Sequence, residues 1–332
     1  MNARLSGDST IAAWQAHPIG SAVIDQIAAQ AGLDASSLAL MRNIPLRRLI
    51  EADPSAPAGL VQQLEQQVNA DADPTSEPVG QGWQERIASG RFEDQTVIVT
   101  GAGSGMGRAV ASRIAREGGL VVAADIAPVG IEALAQNIGD RIRPVAGDIT
   151  QDAGVEAILA AADGKVDGLA NVAGLLDDFS AVHEVTDVLL RRVFEVNVFG
   201  MVRLTRAVVP LMLQAGHGTI VNVASEAALR GSEAGVAYTA SKHAVIGLTR
   251  SSAYMYEPFG LRVNAVAPGG TLTGMRPGKL NEFGSARIFA HSSGVPLDLP
   301  EQLAATITFL LSQDSANLNG AIIAADGGES VV

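Results

Sequence analysis

The chain has 332 residues, 47% of them hydrophobic and 17% charged, enough for one large domain or two with a substantial buried core. A formal net charge of -12 and a pI near 4.8 oppose binding to phosphate backbones or anionic membranes, so nucleic acid is not an expected partner. With no Cys, neither a disulfide framework nor a thiolate metal site can form.

Met1 to Asp8 leads into no uninterrupted apolar core of signal-peptide type, and no run of about 18 apolar residues follows. Secretion and a spanning helix are therefore not expected, and a cytoplasmic location agrees with the lack of Cys. Val23, Ile24 and Ile27 give helical spacing over Ser21 to Ala31, with Gly32 as a C-terminal stop; Leu60, Val61, Leu64 and Val68 do the same over Gly59 to Val68. A further helix is expected over Pro45 to Glu51. From Ala70 to Gly82 the chain is rich in Pro, Gly and acids and reads as a linker. Residues 1–82 thus form a helical extension and linker without a chemical motif, and residues 83–332 the main domain.

Past the linker, short apolar runs alternate with amphipathic stretches. Gln95 to Thr100, Leu120 to Asp125, Ile142 to Ala146, Val166 to Asn171, Thr219 to Ala224, Leu261 to Val266 and Ala321 to Ala325 read as buried strands. Strands alternating with helices predict an α/β fold, a doubly wound parallel seven-stranded sheet of Rossmann type, with ligands at the carboxyl ends of the strands.

The first strand runs into Thr100-Gly101-Ala102-Gly103-Ser104-Gly105-Met106-Gly107 and then a helical stretch from Arg108. Glycines let backbone N–H groups approach a pyrophosphate, and the helix N-terminus adds partial positive charge. The spacing is G-x-x-x-G-x-G through Gly101, Gly105 and Gly107, not G-x-G-x-x-G. The second strand ends in Asp125, whose carboxylate is placed to accept from adenosine ribose hydroxyls and to repel a 2′-phosphate, which predicts NAD over NADP. Alone, Asp125 reads equally as a strand-terminal turn residue.

Tyr238 and Lys242 lie four apart, one helical turn, in a chain with three Tyr and only Lys165, Lys242 and Lys279. Chance would give such a pair roughly 0.03 times. Read alone, the pair fits either a proton donor with its lysine or a surface tyrosine beside a solvated lysine. The order of motifs decides between them: from about Asp94 to Gly328 the chain resembles the short-chain dehydrogenase/reductases. The Thr100 to Gly107 loop is followed by Gly147-Asp148-Ile149, then Asn171-Val172-Ala173-Gly174, with Val172 where the family has a second Asn. Asn197, Ser225, Tyr238 with Lys242, and Pro268-Gly269 complete the series, with Thr271 and Thr273 just beyond.

The resemblance implies a catalytic set of Asn197, Ser225, Tyr238 and Lys242. It also implies NAD held by Gly101, Gly103, Ser104, Gly105, Met106, Gly107, Asp125, Asp148, Ile149, Asn171, Ala173, Gly174, Tyr238, Lys242, Pro268, Gly269, Thr271 and Thr273. No metal is implied. A phenol has a pKa near 10, and a lysine ammonium is expected to lower it toward working pH for proton transfer to or from an alcohol or ketone oxygen. The expected role of Ser225 is to bond the substrate oxygen, and that of Asn197 to hold a water linking Lys242 to solvent. His217, His243 and His291 complete no arrangement. Residues 271 to 298, with Phe283 and Phe289 as apolar walls, read as a mobile lid over the substrate, a small or moderately apolar alcohol or ketone. A 3-oxoacyl thioester reductase is an alternative, and a non-catalytic dinucleotide sensor or scaffold is another. An extended-form epimerase is disfavoured because Pro300 to Leu311, a last strand and Asp326-Gly327-Gly328 end the chain as the short form does. The resemblance also implies a homo-oligomer, tetramer or dimer, joined through helices at Asp187 to Leu213 and Tyr238 to Glu257.

Overall fold

The computed structural model describes residues 3–53, 55–275, 278–290 and 294–331. They fold as two units, Met1–Gln84 with Gly294–Asp298, and Glu85–Ser293 with Leu299–Val332.

The first unit carries α1 (Ile11–Ala16), α2 (Gly20–Ala31), α3 (Ala35–Leu40), α4 (Leu46–Glu51) and α5 (Leu60–Val68). Ile11, Trp14, Ile24, Ile44 and Leu46 form its buried interior, and the Trp14 indole donates to Ser6 O at 3.0 Å. Helices α1 and α3, six residues each, were not expected; Thr10 and Asp34 cap them by accepting from Ala13 N and Ser37 N. The stretch expected as a linker packs back on this unit: Thr10 N donates to Gly80 O, Val79 N to Arg4 O and Gly82 N to Asp8 O, all at 2.8–2.9 Å. Its Pro, Gly and Asp content makes turns rather than a tether, as where Asp73 accepts from Thr75 N at 2.8 Å. Residues 294–298 join the same unit, with Leu297 N donating to Leu40 O at 2.8 Å.

The second unit is built on β1 (Thr96–Thr100), β2 (Leu120–Asp125), β3 (Ile142–Ala146), β4 (Gly168–Asn171), β5 (Gly218–Val223), β6 (Leu261–Pro268) and β7 (Ile322–Ala325). All pair in parallel, in the order β3-β2-β1-β4-β5-β6-β7. The helices are α6 (Gly105–Arg116), α7 (Pro128–Ile138), α8 (Asp152–Ala161), α9 (Asp187–Phe194), α10 (Met201–Ala215), α11 (Val236–Tyr256), α12 (Glu282–Phe289) and α13 (Pro300–Leu311). Alternate strand residues face opposite helical layers: Val97, Val99, Val121 and Ala123 pack with α6 and α13 residues, while Ile98, Val122, Leu169 and Ile220 pack with α8 and α10 residues. Burial on both faces explains the unbroken apolar runs in the sequence. Between β1 and β4 the strand order reverses, which opens a crevice at their carboxyl ends.

Helices α9 and α10 form one 29-residue rod, Asp187–Ala215, joined by a π-helical turn at Glu195–Gly200. By length and composition it alone, among the described residues, would reach across a membrane, although Arg203 and Arg206 break its apolar run. Leu204, Val208, Val209 and Met212 bury against the sheet, so its apolar face is occupied by core.

Candidate active site

Above the crevice lies a cavity of about 310 Å³. Gly101, Ser104, Gly105, Met106 and Gly107 form one wall of it, Asp125, Asp148 and Ile149 another, and Ala173, Gly174 and Thr273 a third. The loop closes as it does because side chains would not fit. A Cβ on Gly107 would lie 2.1 Å from Gly101 O, and Gly101 itself has φ +69°. Helix α6 then starts after Ser104 without a side-chain cap, so its first-turn N–H groups are offered to the cavity. Uncapped donors at a helix start beside a side-chain-free loop fit a dinucleotide pyrophosphate.

Gly103 does not line the cavity. Its N–H donates to Asp125 Oδ2 at 2.9 Å, while Asp125 Oδ1 accepts from Ala127 N at 2.9 Å. The carboxylate is thereby fixed at the end of β2. Farther along, burial opposes the charge of Asp148, but hydrogen bonds from Thr150 and the nearby Arg192 and Arg203 prevail and hold its carboxyl below the usual range. Arg192, Thr100, Leu175, Val196 and Met275 line the cavity and were not foreseen. Thr100 was visible as the start of the glycine motif; its hydroxyl accepts from Val172 N and Ala173 N at 3.0 and 3.1 Å, tying β1 to the loop after β4.

The expected catalytic set comes together from three elements. Tyr238 stands in the first turn of α11, with its phenol near Ser225, which follows β5. Lys242, one turn on and 4% exposed, donates to Val223 O at 2.8 Å and places Nζ 5.4 Å from the centre of the Tyr238 ring. Asn197 projects from the π-helical turn, a distortion often found at functional positions. Its Oδ1 accepts from Leu175 N at 2.7 Å, and its Nδ2 donates to Leu175 O at 3.0 Å and Ser241 Oγ at 3.1 Å. Gly174 joins this group to the cavity: a Cβ there would lie 3.5 Å from Asn197 Oδ1 and 3.6 Å from Lys242 Nζ.

The expected lowering of the phenol by its lysine is not found. Burial pushes the Tyr238 phenol up to about 12, with the neighbouring Ser225 hydroxyl opposing it and the charge of Asp177 adding to it. The same burial pushes Lys242 down to about 8. The lysine does not bring the phenol toward neutrality here, because burial, the largest influence on both groups, outweighs it.

Several expected residues stand elsewhere. Asn171 is buried at the end of β4, where Nδ2 donates to Asn222 Oδ1 at 2.9 Å and Thr205 Oγ1 at 3.1 Å, so its side chain serves the interior. Pro268, Gly269 and Thr271 lie outside the cavity lining; Gly269 N donates to Ala325 O at 3.2 Å and Thr271 Oγ1 to Gly269 O at 3.1 Å. Phe283 and Phe289 both ride on α12, packed edge-on against His183 and Phe179. His217 and His243 are exposed, and His291 lies outside the described residues. Just after Ser225, buried Glu226 shares Arg230 with Glu233 and Glu329. Burial and its two acidic neighbours push Glu226 up to about 8, with Arg230 opposing.

A doubly wound sheet with a glycine-lined cleft, and Ser225, Tyr238 and Lys242 gathered beside it, fits a nicotinamide-dependent oxidoreductase. The family model of short chain dehydrogenases matches residues 95–282, and the chain belongs to that family, whose members bind a nicotinamide dinucleotide. It is 37% identical over 258 residues to the short-chain dehydrogenase/reductase cdmF of Talaromyces verruculosus, covering 73% of this chain and 100% of that protein. It is 33% identical to levodione reductase of Leifsonia aquatica, over 72% of this chain and 96% of the relative. Among solved structures, a 3-ketoacyl-(acyl-carrier-protein) reductase from Brucella melitensis complexed with NADH superposes with a TM-score of 0.65 at 31% identity, covering 72% of this chain and 99% of that one. A levodione reductase structure gives 0.65 at 30% identity, covering 73% and 99%.

Proposed function

We propose that the protein reduces moderately apolar ketones to secondary alcohols with NADH, using Tyr238 as the proton donor. The observation that carries this reading is the grouping of the Tyr238 phenol with Ser225 and Lys242, the Lys242 ammonium and Asn197 lying beside Gly174 of the glycine-lined cavity. The bound dinucleotide supplies the hydride. Ser225 polarises the ketone oxygen by hydrogen bonding. Tyr238 gives its proton to that oxygen as negative charge develops; a secondary alkoxide is more basic than a phenolate, so transfer runs downhill even from a phenol at about 12. Lys242 compensates the phenolate left behind, and Asn197 fixes the loop at Leu175.

Fixation of Asp125 by two backbone donors supports NAD over NADP. Arg192, the basic residue of the cavity, is engaged electrostatically with Asp148. An apolar substrate is supported by Phe179, Ala227 and Ala234, which cluster with Leu176, Leu280, Ile288 and the ring of Tyr238. A homo-oligomer is part of this reading, supported by exposed Tyr254, Met255 and Phe259 at and just after the end of α11.

The test is a panel of levodione, 3-oxoacyl thioesters, sterol ketones and sugars, each with NADH and with NADPH. Reduction of levodione or a similar cyclic ketone, faster with NADH, is expected. Preference for the thioesters would reassign the substrate to the acyl class. Binding of NADH without turnover on any member would favour a dinucleotide sensor.

A further inference from the structure

We propose that Asp177 positions the proton donor: its buried carboxylate clamps the first turn of the catalytic helix α11 onto the loop between β4 and α9. The proposal rests on the reading of Tyr238 as that donor. Helix α11 begins after Gly235, which has no side chain to cap it, so the helix start needs acceptors from elsewhere. Asp177, 2% exposed, supplies them: Oδ2 accepts from Tyr238 N at 2.8 Å and Oδ1 from Gly235 N at 3.1 Å. A carboxylate at a helix N-terminus also gains from the helix dipole.

The fit on both sides is tight. A Cβ on Gly235 would lie 2.5 Å from Asp177 Oδ2, so glycine is what lets the carboxylate reach the helix. On the other side, Oδ1 also accepts from Phe179 N at 3.1 Å and so holds Phe179 at φ +65°, a strained conformation for a bulky residue. Phe179 belongs to the apolar cluster that includes the Tyr238 ring, and Val236 N donates to Ser180 O at 3.0 Å. One carboxylate therefore sets both the phenol and the apolar wall beside it.

Its charge has a second effect. Among the described residues, the polar groups bearing on the phenol are Lys242 from α11, Ser225 from the loop after β5, and Asp177. The negative charge of Asp177 adds to burial in keeping the phenol protonated, as a donor in carbonyl reduction requires. Asn in its place would turn an NH2 toward a backbone donor and remove the charge.

The experiment uses the full chain with carbon-13-labelled tyrosine rings, the Tyr238 signal being assigned with Tyr238→Phe. In Asp177→Asn the Tyr238 signal is expected to move at neutral pH, and the phenol to begin titrating at lower pH than in the wild type, over the range in which circular dichroism stays native. A signal and titration coincident with the wild type would overturn the proposal. A moved signal with an unmoved titration would show a purely structural role and would overturn it as well. If Asp177→Asn does not fold, Gly235→Ala keeps the charge but drives the carboxylate off the helix; a displaced Tyr238 signal is expected there, and an unchanged one would overturn the proposal. None of these spectra depends on turnover, so loss of the reductase reading, seen as an active Tyr238→Phe, would be recognised separately.

Discussion

On the side of the cleft formed by β1, β2 and β3, the wall is largely main chain, the start of α6 and the bare glycines from Gly101 to Gly107, joined by the Asp125 carboxylate that two N–H groups hold. On the side formed by β5 and α11, the groups are buried side chains, with Lys242 and Asn197 each fixed by backbone partners and Tyr238 near Ser225. The first half is expected to yield to an added Cβ rather than to changes in its side chains. The second is expected to yield to both, and it keeps an ammonium in a place where burial works against it. Binding and chemistry therefore have different weaknesses, which substitutions can separate.

The largest expected effect is at Lys242. Its ordinary pKa of 10.5 is lowered to about 8 in the fold, so the unfolded chain binds more protons between these values, and stability rises with pH through that window and is lost as pH falls through about 8. Lys242→Met is expected to flatten this rise and to stabilise the protein near neutrality by up to about 3 kcal/mol, while turnover collapses. Denaturant unfolding at several pH values checks it; a variant less stable than the wild type at neutral pH would contradict the burial argument. Next is Gly107→Ala, whose Cβ meets the Gly101 carbonyl. Overpacking of this kind costs about 1–3 kcal/mol, so calorimetric titration should show NADH binding weakened by roughly tenfold to a hundredfold. The smallest effect is at Asp125: Asp125→Ala should move the ratio of NADH to NADPH affinity toward NADPH by about tenfold, the scale of one lost charge-assisted hydrogen bond. An unchanged ratio would assign the choice to another residue.

The difference between the halves also explains what the sequence revealed. Runs such as Thr96–Thr100 are apolar throughout because both faces of the sheet are covered, so the strands were legible to within two residues. The glycine loop was legible because the backbone geometry leaves no alternative residue at Gly107. Tyr238 and Lys242 were legible as a one-turn pair, but not the ionisation of the phenol, which follows from burial and from Asp177. Asp177 lies in an irregular loop, and its partners on α11 and at its start are N–H groups some sixty positions away, which no local pattern encodes. Asn171 shows the opposite failure: the motif around it is legible, yet its amide turns inward to Asn222. Composition misled at residues 70–82, because Pro, Gly and Asp mark turns as well as tethers, and here the turns pack against Arg4, Asp8 and Thr10.

The central claim is that Tyr238 supplies the proton beside a dinucleotide site that does not depend on it. Its most direct test measures NADH affinity and the rate of levodione reduction for wild type and Tyr238→Phe side by side. Equal affinity is expected, with turnover lowered by at least about 10²-fold, the lower end of what a general acid contributes. Turnover within a few-fold of wild type would contradict it.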